Sequence, residues 1–269
     1  MRRWWSILCA SRRGKRDRNE DFLTGRQFFK KLRPVFTLLL ACDGVGGRPG
    51  GAECAHEIGI AVNQAVEKYL LRKGLASLGK ADEAGLKEMI LQVPVSKITE
   101  KHAATTLALA IYDHRRGRSG RILIAWAGDT QVRLMDDQGQ CMTLTCDHLD
   151  EDNRLTAGYD ADGRAHGLEV GIVALSFLPL AVSITTDGVH EKCTPEEWRR
   201  FMAYCLLDRR MDDERFGNLL ESFLEENISD NLSACVLLRR RQVPDVLLKQ
   251  ILTAPVSHSQ REGDLNVCA

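Results

Sequence analysis

Apolar residues recur along the chain in short blocks, and their spacing predicts strands interrupted by two pairs of helices. Runs rich in β-forming residues predict strands at residues 4–10, 35–41, 105–112, 121–127, 131–135, 140–145, 181–185 and 232–238. Apolar residues at helical spacing predict a helix from Gly51, a weaker one over residues 82–91, and two more after residue 193. This order predicts an α+β fold in which mostly antiparallel sheets are flanked by helices, and not a βαβ series.

The start of the third helix has the clearest local signal. Thr194 can cap the helix, Pro195 suits its first turn, and Glu197 can complete a capping box. The fourth helix carries apolar residues from Phe216 to Leu224 at helical spacing.

No linker or repeat divides the chain, so we predict one domain over residues 1–240. Residues 147–171 are polar and rich in glycine and predict an irregular insertion, which is part of a short flap-like segment at 147–180. A tail at 241–269 is expected to contain a short amphipathic helix at 244–252 docked on its own domain. The tail is expected to be disordered from residue 257.

Composition and charge narrow the class of protein. The content of 44% hydrophobic and 28% charged residues is that of an ordinary globular protein, and a formal charge of zero gives no overall attraction to nucleic acid or an anionic membrane. The apolar run at 35–42 is too short to cross a bilayer. Arg2 to Trp5 superficially suggest a secretion signal, but the polar, basic stretch 11–19 follows. We therefore expect a cytoplasmic monomer without nucleic-acid or membrane partners.

The nine cysteines contain no CxxC pair. In a chain of this length that usage predicts reduced, buried thiols and not a disulfide framework or a catalytic cysteine.

Four acidic sites share one placement, because each lies where a predicted strand meets a turn. They are Glu20-Asp21, Asp43-Gly44, Asp187-Gly188 and Asp230-Asn231. Each alone would be read as a plain turn. Strand ends of one sheet meet in space, however, and together these carboxylates could form a cage of hard oxygen ligands suited to Mg²⁺ or Mn²⁺.

The acidic sites and their neighbours resemble the metal-dependent serine/threonine phosphatases of the PP2C type (the PPM family), closest in style to bacterial members. The resemblance runs from about residue 6 to 239. Its short segments stand in family order: GKRDRNED at 14–21, DGVGG at 43–47, TT at 105–106, AGDT at 127–130, LTCDH at 144–148, TDGV at 186–189 and DN at 230–231.

The resemblance implies a β-sandwich of two antiparallel sheets flanked by helix pairs, with two or three Mn²⁺ or Mg²⁺ ions at one end. It implies that Asp43 bridges two metals and is a catalytic residue, and that Asp187 and Asp230 complete the ligands of the first. Glu20 and the carbonyl of Gly44 would serve the second metal.

Three further roles are implied by the resemblance. Asp21 would support the second metal through water, and Asp129 would hold a looser third metal with Asp187. Arg16 would bind the phosphate as the second catalytic residue, for which its planar guanidinium fork is suited. The expected partners are phosphorylated proteins, such as a serine/threonine kinase or its targets.

Several departures from the family pattern keep other hypotheses open. The segment 147–180 is short and lacks an Arg-Ala-Leu-Gly stretch, and Thr130-Gln131 stands where the family has Ser-Arg. No general acid is evident: Val45 occupies a position where eukaryotic relatives carry His, and we interpret His148 and His190 as structural. The alternatives are a non-catalytic phosphoprotein-binding module and a phosphatase of a small metabolite.

Overall fold

The computed structural model describes residues 5–46, 49–74, 76–91, 93–95, 98–116, 120–224, 229–240 and 243–253. The strands are β1 (Trp5–Arg12), β2 (Asp21–Lys30), β3 (Arg33–Asp43), β4 (Ala104–Thr105), β5 (Leu107–Asp113), β6 (Arg121–Ala127), β7 (Gln131–Met135), β8 (Cys141–Thr143), β9 (Gly158–Asp160), β10 (Ala165–His166), β11 (Glu169–Ala174), β12 (Ala181–Thr185) and β13 (Leu232–Arg239). The helices are α1 (Gly51–Arg72), α2 (Lys80–Leu91), α3 (Asp187–His190), α4 (Pro195–Leu207), α5 (Asp213–Phe223) and α6 (Asp245–Thr253).

Two antiparallel sheets form the centre of the fold. The first has the order β1-β13-β12-β7-β8 and the second the order β11-β6-β5-β3-β2, with a small third sheet β10-β9-β4 beside them. One apolar cluster lies between the two large sheets. A second cluster joins the second sheet to α1 and α2, and a third joins the first sheet to α4, α5 and α6. The predicted sandwich of two sheets flanked by helix pairs is confirmed.

The apolar run in β3 follows from this layering. Leu38, Leu40 and Cys42 face the α1–α2 layer, whereas Leu39 and Ala41 face the other sheet. Because both faces of the strand are buried, its sequence is continuously apolar and does not alternate with polar residues.

The helix start at Thr194 is confirmed. The Thr194 hydroxyl accepts a hydrogen bond from the backbone N–H of Glu197, and the Glu197 carboxylate accepts one from the backbone N–H of Thr194. This reciprocal capping box satisfies donors that a helix start would otherwise leave unpaired.

The structure corrects the sequence analysis in two places. β2 was not predicted, because it is an edge strand with only partly buried faces and shows no clean alternation. Residues 147–171 are not wholly irregular: they contain β9, β10 and the start of β11, which pairs with β6 as an edge of the second sheet.

In the tail, α6 occupies the position of the predicted helix and buries Leu248 and Ile251, and residues 254–269 lie outside the described residues.

The cysteines agree with the sequence analysis with one exception. Seven are free thiols, at Cys9, Cys42, Cys54, Cys141, Cys193, Cys205 and Cys235. Cys146 is disulfide-bonded, which the sequence did not predict, and Cys268 lies outside the described residues. None of the helices in the described ranges is long and apolar enough to cross a membrane.

Candidate active site

The predicted acidic residues meet at one end of the sandwich, where strands of both large sheets end. Asp21 begins β2 and lies directly opposite Asp43, which ends β3. From the other sheet, Asp187 follows β12 as the first residue of α3. Thr186 joins the two sheets, because its hydroxyl donates to Asp21 Oδ2 over 3.1 Å and accepts from the Ser233 backbone N–H over 3.2 Å.

The carboxyl groups are close enough to perturb one another. Burial, followed by the charges of Asp21 and Asp187, raises the pKa of Asp43 well above its usual range. Burial raises the pKa of Asp21 to about 6. Burial and the charge of Asp187 likewise raise the pKa of Asp129 to about 6. Burial and the charge of Asp230 raise the pKa of Asp187. Gathering these acids is therefore unfavourable unless protons or cations offset their repulsion.

Arg16 lies at the rim of this acidic cluster. Its Nη2 atom donates to Asp230 Oδ2 over 2.5 Å, and this hydrogen bond raises the pKa of the guanidinium. The side chain is 41% exposed. Beside it, a Cβ added at Gly46 would lie 3.1 Å from Arg16 Nη1, so the glycine leaves room for the guanidinium.

Glu20 lies close to this rim and is held by both its backbone and its side chain. The Glu20 carbonyl accepts a hydrogen bond from the Gly44 N–H over 3.2 Å, and the Glu20 carboxylate accepts one from Arg18 Nε over 3.0 Å. Glu20 is therefore fixed to the loop that follows β3.

Gly44 sits where two backbone segments approach closely. A Cβ added there would lie 2.5 Å from the backbone of Gly51 and 2.9 Å from the Glu20 carbonyl, which no side chain tolerates. The preceding Asp43 is fixed on both sides, because its N–H donates to Thr106 Oγ1 over 3.0 Å and its carbonyl accepts from Thr105 Oγ1 over 2.7 Å. The Thr-Thr pair therefore positions Asp43.

Asn231 is a site residue whose role the sequence analysis missed. Its Oδ1 accepts from the backbone N–H of Glu20 over 2.7 Å, and its Nδ2 donates to the carbonyls of Arg13 and Arg18. The side chain is almost fully buried. It fixes the loop that carries Arg16 and Glu20 to the start of β13. The only signal in the sequence was its place directly after Asp230.

Neither nearby histidine is placed as an obvious general acid. His190 Nδ1 lies 3.3 Å from the Thr185 carbonyl, and burial lowers its pKa to about 4. His148 is held by Gly128 and Glu169. Both positions agree with their interpretation as structural residues.

The donor set fits a divalent metal, although the side chains are not in ligand geometry as they stand. Among the described residues, no three or more His, Cys, Asp or Glu side chains are arranged to hold an ion, although the carboxyl groups of Asp43, Asp187 and Asp21 are close enough to influence one another. Asp21 Oδ1 is buried without a hydrogen-bond partner. Such an oxygen is costly unless a cation neutralises it, and carboxylate oxygens are the ligands that Mg²⁺ and Mn²⁺ prefer. The individual ligand roles stay predictions.

The fold is a sandwich of two antiparallel sheets with an acidic cluster at one end, and the comparisons with known proteins give its family. The family described as protein phosphatase 2C matches residues 10–229, so the chain belongs to the protein phosphatase 2C family. Membership makes it an enzyme of the protein serine/threonine phosphatase type. No curated protein gives a significant match to the chain.

Solved structures share the fold at low sequence identity. A bacterial serine phosphatase is 20% identical with a TM-score of 0.63, covering 87% of this chain and 97% of its own. Serine/threonine phosphatase Stp1 from Staphylococcus aureus is 20% identical with a TM-score of 0.60, covering 86% and 94%. A C. elegans sex determining protein is 16% identical with a TM-score of 0.70, covering 93% and 67%. These matches show the fold alone.

Proposed function

We propose that this chain removes phosphate from phosphoserine and phosphothreonine on proteins in a metal-dependent reaction, and so opposes serine/threonine kinases. The observation that carries the proposal is that Asp21 and Asp43 of one sheet come close to Asp187 of the other. Arg16 lies beside them, hydrogen-bonded to Asp230. The bacterial neighbours with serine and serine/threonine phosphatase names support it. The seven free thiols support a reducing, cytoplasmic setting, whereas the disulfide at Cys146 does not.

The acidic residues would hold two or three Mg²⁺ or Mn²⁺ ions. Asp43 would be shared between ions, and Asp187, Asp230, Glu20 and the Gly44 carbonyl would complete the two main sites, with Asp21 in support through water. Asp129 would hold a third ion with Asp187. When bound, a close pair of divalent ions supplies Lewis-acid activation of a water and neutralises phosphoryl oxygens.

Arg16 would bind and orient the phosphate. Its guanidinium is partly exposed and donates to one carboxylate oxygen of Asp230 at 2.5 Å, and a planar guanidinium can donate to phosphate oxygens through two such bonds. Gly46 leaves the space beside the fork open. The described histidines near the site have other partners, so a solvent water would protonate the leaving alkoxide.

The test is hydrolysis of p-nitrophenyl phosphate and of a phosphothreonine peptide as Mn²⁺ is titrated. We expect activity that a chelator abolishes, and a loss of at least about 100-fold in Asp43→Asn, as for removal of a group that acts in the transition state. The matched control is Asp136→Asn, which makes the same change in the turn at the far end of β7 and keeps the acceptor for its turn N–H groups. Full activity in Asp43→Asn, or with the metal chelated, contradicts the proposal.

The same assay separates the two alternatives. Phosphopeptide binding without turnover under any metal would indicate a non-catalytic binding module. A strong preference for small phosphorylated metabolites over peptides would indicate a metabolite phosphatase.

A further inference from the structure

The loop between β6 and β7 carries Asp129 and has an unusual backbone at the residue before it. Gly128 has a φ of +110°, a conformation that side-chain-bearing residues rarely adopt. A Cβ there would also lie 2.7 Å from the Thr106 side chain. A loop with this backbone needs partners to hold it, and the direction of the Asp129 carboxylate depends on it.

His148 supplies those partners by contacting Gly128 twice. The Gly128 N–H donates to His148 Nδ1 over 3.1 Å, and the His148 backbone N–H donates to the Gly128 carbonyl over 3.2 Å. Next to it, Asp147 Oδ1 accepts from Gln131 Nε2 over 3.1 Å. The hydrogen bonds to His148 and Asp147 therefore hold Gly128 and Gln131, which lie on the two sides of Asp129.

The imidazole of His148 is itself held in one orientation. Because Nδ1 accepts a hydrogen bond, the ring proton must be on Nε2 in the neutral form, and Nε2 lies 3.0 Å from Glu169 Oε1 on β11. The ring lies parallel to that of Trp126, with centroids 6.1 Å apart and planes 4° apart. The Trp126 indole N–H donates to the Cys146 carbonyl over 3.0 Å, which anchors the segment that carries His148.

We propose that His148 is a positioning residue that fixes Asp129 through Gly128, and that Glu169 holds the His148 ring in place by accepting from its Nε2–H. The inference rests on the proposed function, because the role of Asp129 is to hold the looser metal. It extends the interpretation of His148 as a structural residue: besides packing against Trp126, the side chain accepts the Gly128 N–H and so contributes to the placement of one ligand.

Three substitutions at one position separate positioning from packing. The side-chain oxygen of His148→Asn can take the place of Nδ1 and accept from Gly128, whereas His148→Gln reaches the Nε2 position and leaves Gly128 without an acceptor. His148→Ala removes both. We expect the Mn²⁺ concentration for half-maximal activity to rise about 10-fold or more in the Ala and Gln variants, as for loss of a residue that orients a metal ligand, and about 3-fold or less in Asn.

The control is His166→Ala. His166 forms the same kind of bond to a carboxylate, at 2.9 Å from Asp160, and it contacts none of the site residues named above, so its variant should need the same Mn²⁺ concentration as the wild type. Equal Mn²⁺ requirements in the Ala, Gln and Asn variants would overturn the inference, because the acceptor at Nδ1 would then be irrelevant.

A second readout needs neither metal nor substrate. In the metal-free protein, amide hydrogen exchange at Gly128 should be slow in the wild type and in His148→Asn, and about 10-fold or more faster in the Ala and Gln variants. The ¹⁵N shifts of His148 should show the proton on Nε2 in the wild type and also in Glu169→Ala, because Nδ1 still accepts from the Gly128 N–H there. Fast exchange at Gly128 in the wild type would overturn the inference. Absence of turnover in every variant, with this exchange pattern intact, would instead contradict the proposed function.

Discussion

Asp21 lies directly opposite Asp43 in the register of β2 and β3, so two carboxyl groups share the end of one sheet while Asp187 approaches from the other. The metal-free fold therefore bears a repulsion that the unfolded chain does not. Because burial, and after it the charge of Asp187, raises the pKa of Asp21 to about 6, the ionised carboxylate destabilises the folded state at pH 8.

Removal of the Asp21 charge should stabilise the metal-free protein. We expect Asp21→Asn to raise the free energy of unfolding by about 1–3 kcal/mol at pH 8 in the presence of a chelator, corresponding to a shift of up to about two pKa units. Urea unfolding measures this. Excess Mn²⁺ should reverse the order, since the wild type gains more from binding. A metal-free Asn variant less stable than the wild type would contradict the prediction.

Gly44 should not tolerate a side chain. Gly44→Ala places a methyl group about 2.5 Å from the Gly51 backbone, so we expect a loss of about 2–4 kcal/mol in unfolding free energy, as for a severe steric conflict. Urea unfolding of Gly79→Ala is the control, because the nearest neighbour of its methyl group would be Arg121 Nη1 at 3.9 Å. Equal stabilities of the two variants would show that the loop can move aside.

The planar guanidinium of Arg16 should contribute more to kcat/KM than its positive charge alone. Arg16→Lys keeps a cation but loses planar, paired donation, so we expect kcat/KM for p-nitrophenyl phosphate to fall about 10–100-fold, corresponding to about 1.4–2.7 kcal/mol. Arg13→Lys is the control, because Arg13 is exposed and its Nη1 donates to the Asp17 carbonyl. A wild-type kcat/KM in Arg16→Lys would show that the Arg16 guanidinium does not bind the phosphate.

Substitutions in the turn between β2 and β3 should raise the stability of the protein without affecting the active site. Lys31 and Leu32 both have positive φ, at 48° and 64°, and Leu32 is 84% exposed. Two-residue turns of this kind favour Asn-Gly, because other residues are strained there by about 1 kcal/mol each. The double variant Lys31→Asn, Leu32→Gly should raise the unfolding free energy by about 1 kcal/mol and leave activity unchanged. Lower stability would show that the tip makes contacts that offset the strain.

His114 should make the protein sensitive to acid. Its ring packs against Tyr112 and Trp5, and burial lowers its pKa from 6.5 to about 3. Below pH 6.5 the unfolded chain binds a proton that the folded state excludes, so stability falls as pH falls from 6.5 toward 3.

The variant His114→Gln should remove this part of the acid sensitivity. Between pH 7.5 and 4.5, we expect the wild type to lose about 2–3 kcal/mol more unfolding free energy than the variant, from about two pKa units of linkage. Urea unfolding at both pH values measures the difference. Equal losses would show that His114 is protonated as readily in the fold as in the unfolded chain.

The sequence predicts those parts of the fold that local pattern determines. The run in β3 is apolar because both of its faces are buried, and the start of α4 is marked by a capping box within four residues. Edge strands such as β2 and β11 carry no such signal, since one side of each lacks a paired strand and their faces are only partly buried.

In the site, the acids were recognisable because each follows or precedes a strand. The hydrogen bonds that connect the site residues were not recognisable. Arg16 and Asp230 are separated by 214 positions in the chain, and Asn231 binds backbone groups more than 200 positions away. Contacts of this kind arise only when both sheets are assembled, and no local spacing encodes them.

The placement of β13 between β1 and β12 has a consequence for synthesis. Asp21 and Asp43 are translated long before β13, yet β13, which follows Asp230, fills an inner position of the first sheet. A nascent chain that lacks β13 therefore has an incomplete first sheet, and its acidic residues are not yet assembled into an active site. Catalytic capacity would arise in one step, when the late strand closes the sandwich.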